Sequence, residues 1–237
     1  MLYKAVRILP KPVRNLLSKL GVGKLMGLFY NKYTAELNFQ KGWAKEFPKH
    51  NEKVLEYWRK YRYLDNINQI CDINDESKVL DVGCGISSVL HYVKGSKRVG
   101  VDPLADDYLK VYNYPEGIEV KKGFGEDLEF NNELFDVVFC SNVLDHTTNP
   151  QKNINEIWRV LKPGGYFVLT LELFDEKKRR DVAHPHAITR KDVIDLTGDD
   201  FSCLFQRESP WIGVGAYVNG ATTSYNKELI AIFKKDQ

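Results

Sequence analysis

The chain has 237 residues, 43% hydrophobic and 28% charged, enough apolar side chain for one large domain with a modest extension. That balance excludes a disordered or fibrous protein, and four well-separated cysteines without a CxxC pair argue against a disulfide framework or a thiolate zinc site. The net charge of +2 is uneven: residues 1–33 hold seven basic side chains and no acid, leaving the remainder at −5, a body that repels phosphates and does not suit nucleic acid as a partner.

Along the chain, Pro10 and Pro12 limit the basic head to two short helices, near 2–9 and 13–20. In the second, Val13, Leu16, Leu17 and Leu20 recur at helical spacing, with Arg14 and Lys19 elsewhere around the helix. Residues 1–50 therefore read as a basic N-terminal helical extension. It is either a lid packed on the body by its leucines or, through residues 1–30, a peripheral contact with an anionic membrane surface. No apolar run reaches the ~20 residues that span a bilayer, and no A-x-A site follows the N-terminus. The expected location is cytoplasmic, with the inner membrane surface as the peripheral alternative.

The main domain is expected over 51–237. It opens with a helix over 51–70 whose Val54, Tyr57, Trp58, Tyr61 and Leu64 form an apolar stripe. Short β-branched runs then predict strands at 78–82, 98–102, 118–122, 135–141, 165–173, 201–207 and 228–235. Helices are expected between most of them, notably 150–161 and 190–197, the latter capped by Thr189. Continuous apolar strands separated by helices mean a doubly wound α/β fold, a mostly parallel sheet covered on both faces.

The strongest chemical signal is Val79-Leu80-Asp81-Val82-Gly83-Cys84-Gly85, a hydrophobic strand running into a glycine turn. Glycines there let the backbone approach a ligand closely. A dinucleotide fingerprint needs a third glycine where this chain has Ser88. Asp102, ending the next strand in VGVDP, can instead take both hydroxyls of a ribose. Together these features favour an adenosyl ligand without a pyrophosphate.

The segments VLDVGCG, VGVDP, FDVVFCSNVLDH and RVLKPGGYFVLT, in this order and spacing, resemble a class I S-adenosylmethionine-dependent methyltransferase of the methyltransferase domain 11 group. The resemblance covers about residues 75–235. It implies a seven-stranded sheet of order 3-2-1-4-5-7-6 with the last strand antiparallel, and S-adenosyl-L-methionine as cofactor. It also implies that Asp81 and the backbone of Gly83 and Gly85, with Cys84 between, hold the methionine part, and that Asp102, followed by Pro103, holds the ribose. The segment 123–128 would line the adenine, and Ser141 and Asn142 would close over the methionine end. The family commonly has an acid at the position of Phe124; here Phe124 is expected to pack on the adenine, with Gly125 beside it and Glu126 or a backbone carbonyl accepting from its amino group.

Oxygen methylation calls for a base near neutral pKa. His146 in VLDH is the first candidate, with His184 and His186 in AHPHAITRKDV behind it. A metal site from His184, His186 and Asp145 lacks the helical i, i+4 pattern, so no metal is expected. His50 and His91 read as surface positions. The stretch 209–226, with Trp211, Tyr217 and Tyr225 among three glycines, is long for a hairpin and suits contact with a sugar or planar substrate. The expected activity is O-methylation of a glycan, lipid-linked sugar or small metabolite. The alternatives are a non-catalytic adenosyl-cofactor-binding module and, disfavoured by Ser88 and the absence of a Tyr-x-x-x-Lys pair, a nucleotide-dependent oxidoreductase or epimerase.

Overall fold

The computed structural model describes residues 32–177, 184–220 and 226–236. The two short helices expected in the head, and Tyr225, lie outside them. Seven strands form one sheet: β1 (Lys78–Val82), β2 (Lys97–Asp102), β3 (Ile118–Lys122), β4 (Phe135–Ser141), β5 (Leu161–Leu173), β6 (Phe201–Pro210) and β7 (Lys227–Lys235). Their order is β3-β2-β1-β4-β5-β7-β6, with β7 antiparallel to both its neighbours, as the resemblance implied. β5 starts four residues earlier than expected. The register shifts between Phe135 and Val137, so that Leu161 pairs with Phe135 and Tyr166 with Val137.

Each central strand is apolar on both sides because both faces of the sheet are covered. Leu80, Val82, Val138, Cys140, Phe167 and Leu169 face one core, packed under Ile154, Ile157 and Val160. Val79, Val137, Phe139, Val168 and Ile232 face the other, under Trp43, Phe47, Val54, Tyr57 and Trp58.

That second cover differs from the expected one. Lys32–Arg62 is a single helix, α1, and it ends where Tyr63 adopts a left-handed conformation before α2 (Leu64–Ile70). A boundary between residues 50 and 51 falls inside α1, and Trp43, Ala44 and Phe47 on its earlier half are buried in the domain's own core. The crossovers beneath α1 are correspondingly short: one turn at Val89–His91 between β1 and β2, and α3 (Ala105–Tyr108) between β2 and β3. His91 is half-buried rather than a plain surface position; its Nε2 bonds Ile86 O at 3.0 Å, and its ring stacks on Tyr114.

The opposite face carries α4 (Pro150–Val160) and α5 (Arg190–Thr197). Asn149 caps α4 by accepting from Lys152 N, and Thr189 with Asp192 forms a reciprocal capping box on α5. Both helices start at the carboxyl ends of β4 and β5, where ligands of such sheets bind.

Candidate active site

The glycine turn is built as the sequence requires. Beyond β1, Gly83 takes φ +72° and donates to Val101 O at 2.7 Å, folding the turn against β2. A Cβ on Gly83 would lie inside Val143 Cγ2 and one on Gly85 would meet Gln40 Nε2 at 2.9 Å, so only glycine leaves the passage open. Cys84 between them is buried against Gly100, and burial pushes its thiol well above the ordinary range. It is a packing residue rather than a nucleophile.

Asp102 ends β2 with both carboxylate oxygens engaged. Oδ2 accepts from Gly85 N at 3.2 Å and Oδ1 from Leu104 N at 2.9 Å. Burial pushes its pKa up to about 6, opposed by these two donors and reinforced by the neighbouring Glu36. Asp81, only 2% exposed, accepts the Ser88 hydroxyl on Oδ2 at 2.6 Å, while Oδ1 is buried without a hydrogen-bond partner. Burial carries Asp81 to about 7, against the pull of Ser88 and Arg62.

Arg62, at the end of α1, lines the same cavity as Asp81. Its Nη2 and Nε bond Glu228 Oε1 at 2.8 and 3.1 Å, and its guanidinium lies over the Trp58 ring. Burial holds Glu228 above the usual carboxylate range even with Arg62 beside it. Nothing in the sequence pattern marked this pair, which joins residues 166 positions apart.

A pocket beside Asp102 is lined by Pro103, Phe124, Gly125, Glu126 and Asn142, together with Tyr33 and Glu36 of α1. Phe124 is nearly half exposed at its rim. Glu126, expected to accept from an adenine amino group, uses Oε1 to accept from Thr148 N at 2.8 Å and Asn149 N at 3.4 Å. Asn153 of α4 also borders this pocket, fully buried and with neither amide atom hydrogen-bonded. Such an amide is costly unless something pairs with it. Its only sequence signal is a polar residue on the inner face of an amphipathic helix.

At the mouth of β4, Asn142 adopts φ +58° and donates to Thr170 O at 2.7 Å, and the turn Leu144–His146 follows. Ser141 Oγ and Asn142 Oδ1 are buried without hydrogen-bond partners. His146 lines both the pocket beside Asp102 and a larger cavity of about 1150 Å³ on the other side of Gly83. Its Nε2 lies 3.7 Å from the buried Asp145 Oδ1, and its ring centroid is 4.3 Å from that of His184. His186 behaves differently from the expectation. It lines neither cavity; its Nε2 donates to Thr147 O at 3.0 Å and its backbone N–H to Asp145 O at 3.4 Å, which makes it a strut between two loops.

Among the described residues, Asp145, His146 and His184 bring three metal-ligand atoms within 4.8 Å of one another. The trio weighed from the sequence contained His186 where the structure has His146.

The large cavity is walled by Phe39, Trp43 and Trp58 of α1, by Trp211, and by Gly213, Ala216 and their neighbours on the short helix α6 (Val214–Val218) other than Tyr217. Trp43 and Trp211 each hold a buried indole N–H without an acceptor. Tyr217, expected at the substrate, packs instead on Tyr57 and Tyr61 of α1 at 5.6 and 5.5 Å.

Residues 80–169 match the sequence profile of the methyltransferase domain family. Over 95 residues, 37% of this chain and 41% of the relative, the chain is 39% identical to a ubiquinone biosynthesis O-methyltransferase of Pseudomonas syringae. Over 76% of this chain and 49% of the relative, it is 27% identical to a sterol 24-C-methyltransferase of Debaryomyces hansenii. The matched part of the chain thus spans about half, or less, of these curated relatives. The solved structure of a candidate methyltransferase from Bacillus halodurans superposes with a TM-score of 0.59 at 22% identity, over 73% of this chain and 99% of that one, and shares the fold. The matched segment 80–169 and the shared fold together support a class I S-adenosylmethionine-dependent methyltransferase and imply S-adenosyl-L-methionine as its cofactor.

Proposed function

We propose that the protein methylates a hydroxyl of a glycan, a lipid-linked sugar or a small metabolite. The observation that carries this reading is the place of His146, at the junction of the two cavities and 3.7 Å from a buried carboxylate. Bound, the cofactor supplies a methyl group on a sulfonium; the protein must align an acceptor oxygen and manage its proton.

The residues present fit that cofactor. Asp102, which already accepts from Gly85 N, would accept from the ribose hydroxyls, Asp81 Oδ1 would accept from an ammonium, and Arg62 would offer a cation to a carboxylate nearby. Asn153 would meet the polar edge of the adenine, with Phe124 on its rim and Glu126 as part of the wall. Ser141 and Asn142 border the methionine end, and His146, with His184 beside it, would receive the acceptor's proton.

The acceptor side supports a ring-shaped substrate. Phe39 and three tryptophans give stacking surface, and two indole N–H groups are free to donate to ring or hydroxyl oxygens. Among the described residues no helix is long and apolar enough to cross a membrane. The basic residues of 1–33 suit a peripheral approach to an anionic surface, where a lipid-linked sugar is presented.

The test is transfer of labelled methyl from S-adenosylmethionine into a lysate, split into organic and aqueous phases, with Asp102→Ala as control. Label in the organic phase identifies a lipid-linked acceptor, and label in the aqueous phase a soluble one. Cofactor binding with label in neither phase would replace this reading with a non-catalytic binding module.

A further inference from the structure

We propose that Asp145, His146 and His184 bind one divalent transition-metal ion at the wall of the acceptor cavity. Ligand atoms of these three side chains already lie within 4.8 Å of one another, and His146 Nε2 is 3.7 Å from Asp145 Oδ1. Two ligands each about 2.0–2.2 Å from a common ion are separated by roughly 3–4 Å, so small side-chain rotations close the site.

The donor set decides the class of ion. Two imidazoles and one carboxylate suit Zn²⁺, Fe²⁺, Co²⁺ or Mn²⁺, whereas Ca²⁺ and Mg²⁺ favour sites made of oxygens. Three protein ligands leave at least one coordination position open. Because both histidines line the large cavity, that position faces the acceptor.

The surroundings hold the three ligands in place. Asp145 and His146 sit on one turn, closed by His146 N–H to Val143 O at 2.8 Å and by Thr147 Oγ1 to Leu144 O at 2.8 Å. His184 arrives on a different loop. His186 fastens that loop to the turn through its two bonds to Asp145 O and Thr147 O, which gives the strut a purpose that a free base would not need. The carboxylate is 3% exposed, in a setting where a cation is less screened than in water.

The inference rests on the hydroxyl-methylation reading for its purpose, not for the binding itself. In the loaded protein His146 is a ligand, and the ion takes over activation of the hydroxyl. An alcohol oxygen on the open position releases its proton to water at a pH where the free alcohol retains it.

The chelator-treated full chain is titrated with Co²⁺ and Zn²⁺ by equilibrium dialysis, without cofactor or acceptor. The expected result is one equivalent of either ion, visible d–d absorption for Co²⁺, and at least ~100-fold weaker binding in His184→Gln and Asp145→Asn, more than loss of an outer-shell partner costs. Far-UV circular dichroism and S-adenosylhomocysteine affinity of both variants should match the wild type, which excludes misfolding. Absence of uptake, or uptake unchanged in both variants, overturns the site. Stoichiometric uptake with no methyl transfer to any hydroxyl would leave the site standing and remove the methylation reading.

Discussion

Ser88 donates its hydroxyl to Asp81 Oδ2 at 2.6 Å, from the place where a dinucleotide fingerprint has its third glycine. Ser88 Oγ also accepts from Leu90 N, so one side chain both shapes the turn after the glycine loop and stabilises the charged form of a buried acid. Ser88→Ala should therefore push Asp81 above its already raised value of about 7. Cofactor affinity is expected to fall about tenfold at pH 7 and to recover at pH 9, where Asp81 is ionised in either chain. Calorimetric titration with S-adenosylhomocysteine at both pH values checks this. Equal affinities at pH 7 would detach Asp81 from the methionine site.

The two acids also set a pH dependence of stability. Burial raises Asp81 from 3.8 to about 7 and Asp102 from 3.8 to about 6. Between the unfolded and folded values the folded chain holds the extra proton, so stability falls as pH rises through that window. Each group contributes up to about 1.4 kcal/mol per pH unit there. Asp102→Asn should lose its share of the slope between pH 4 and 6, so urea midpoints of variant and wild type should diverge in the variant's favour over that range. Parallel midpoints would mean that Asp102 titrates normally.

The strands were legible because each central one is apolar on both faces, and β1, β3, β4 and α5 begin and end where the β-branched runs and the Thr189 cap place them. What escaped the sequence depends on distance along the chain. Gln40 accepts from Ile86 N at 3.1 Å across 46 residues, and Arg62 reaches Glu228 across 166. Pro48, inside α1, is a local stop signal that burial of Trp43 and Phe47 overrides. His184 and His186 read as a pair because a single proline separates them, yet one turns to His146 and the other to Thr147 O.

The Arg62–Glu228 pair allows stability and binding to be separated. Glu228→Ala leaves a buried guanidinium unpaired and should cost about 3–5 kcal/mol. Arg62→Met with Glu228→Met removes both charges and should restore most of that stability. The double variant is nevertheless expected to bind S-adenosylhomocysteine at least about tenfold more weakly, as loss of one charged hydrogen bond implies. Unchanged affinity in a folded double variant would show that Arg62 serves the fold alone.

Burial of the first half of α1 sets the expected outcome of a truncation at residue 51. A chain beginning at residue 51 loses Trp43, Ala44 and Phe47 from the core under β1 and β4, and with them Gln40, the acceptor for Ile86 N. Emptying the site of one large aromatic typically costs about 3–5 kcal/mol, and two such losses rival the whole stability of an ordinary domain, about 5–15 kcal/mol. The truncated chain should therefore show no cooperative transition in urea. Gln40→Ala is the milder comparison: it strands one backbone N–H, should cost about 1–3 kcal/mol, and should weaken cofactor binding because Ile86 follows directly on Gly85. A cooperative transition for residues 51–237 at the full chain's midpoint would mean that the first half of α1 is a cover laid on a finished core, and that Gly85 is held open without Gln40.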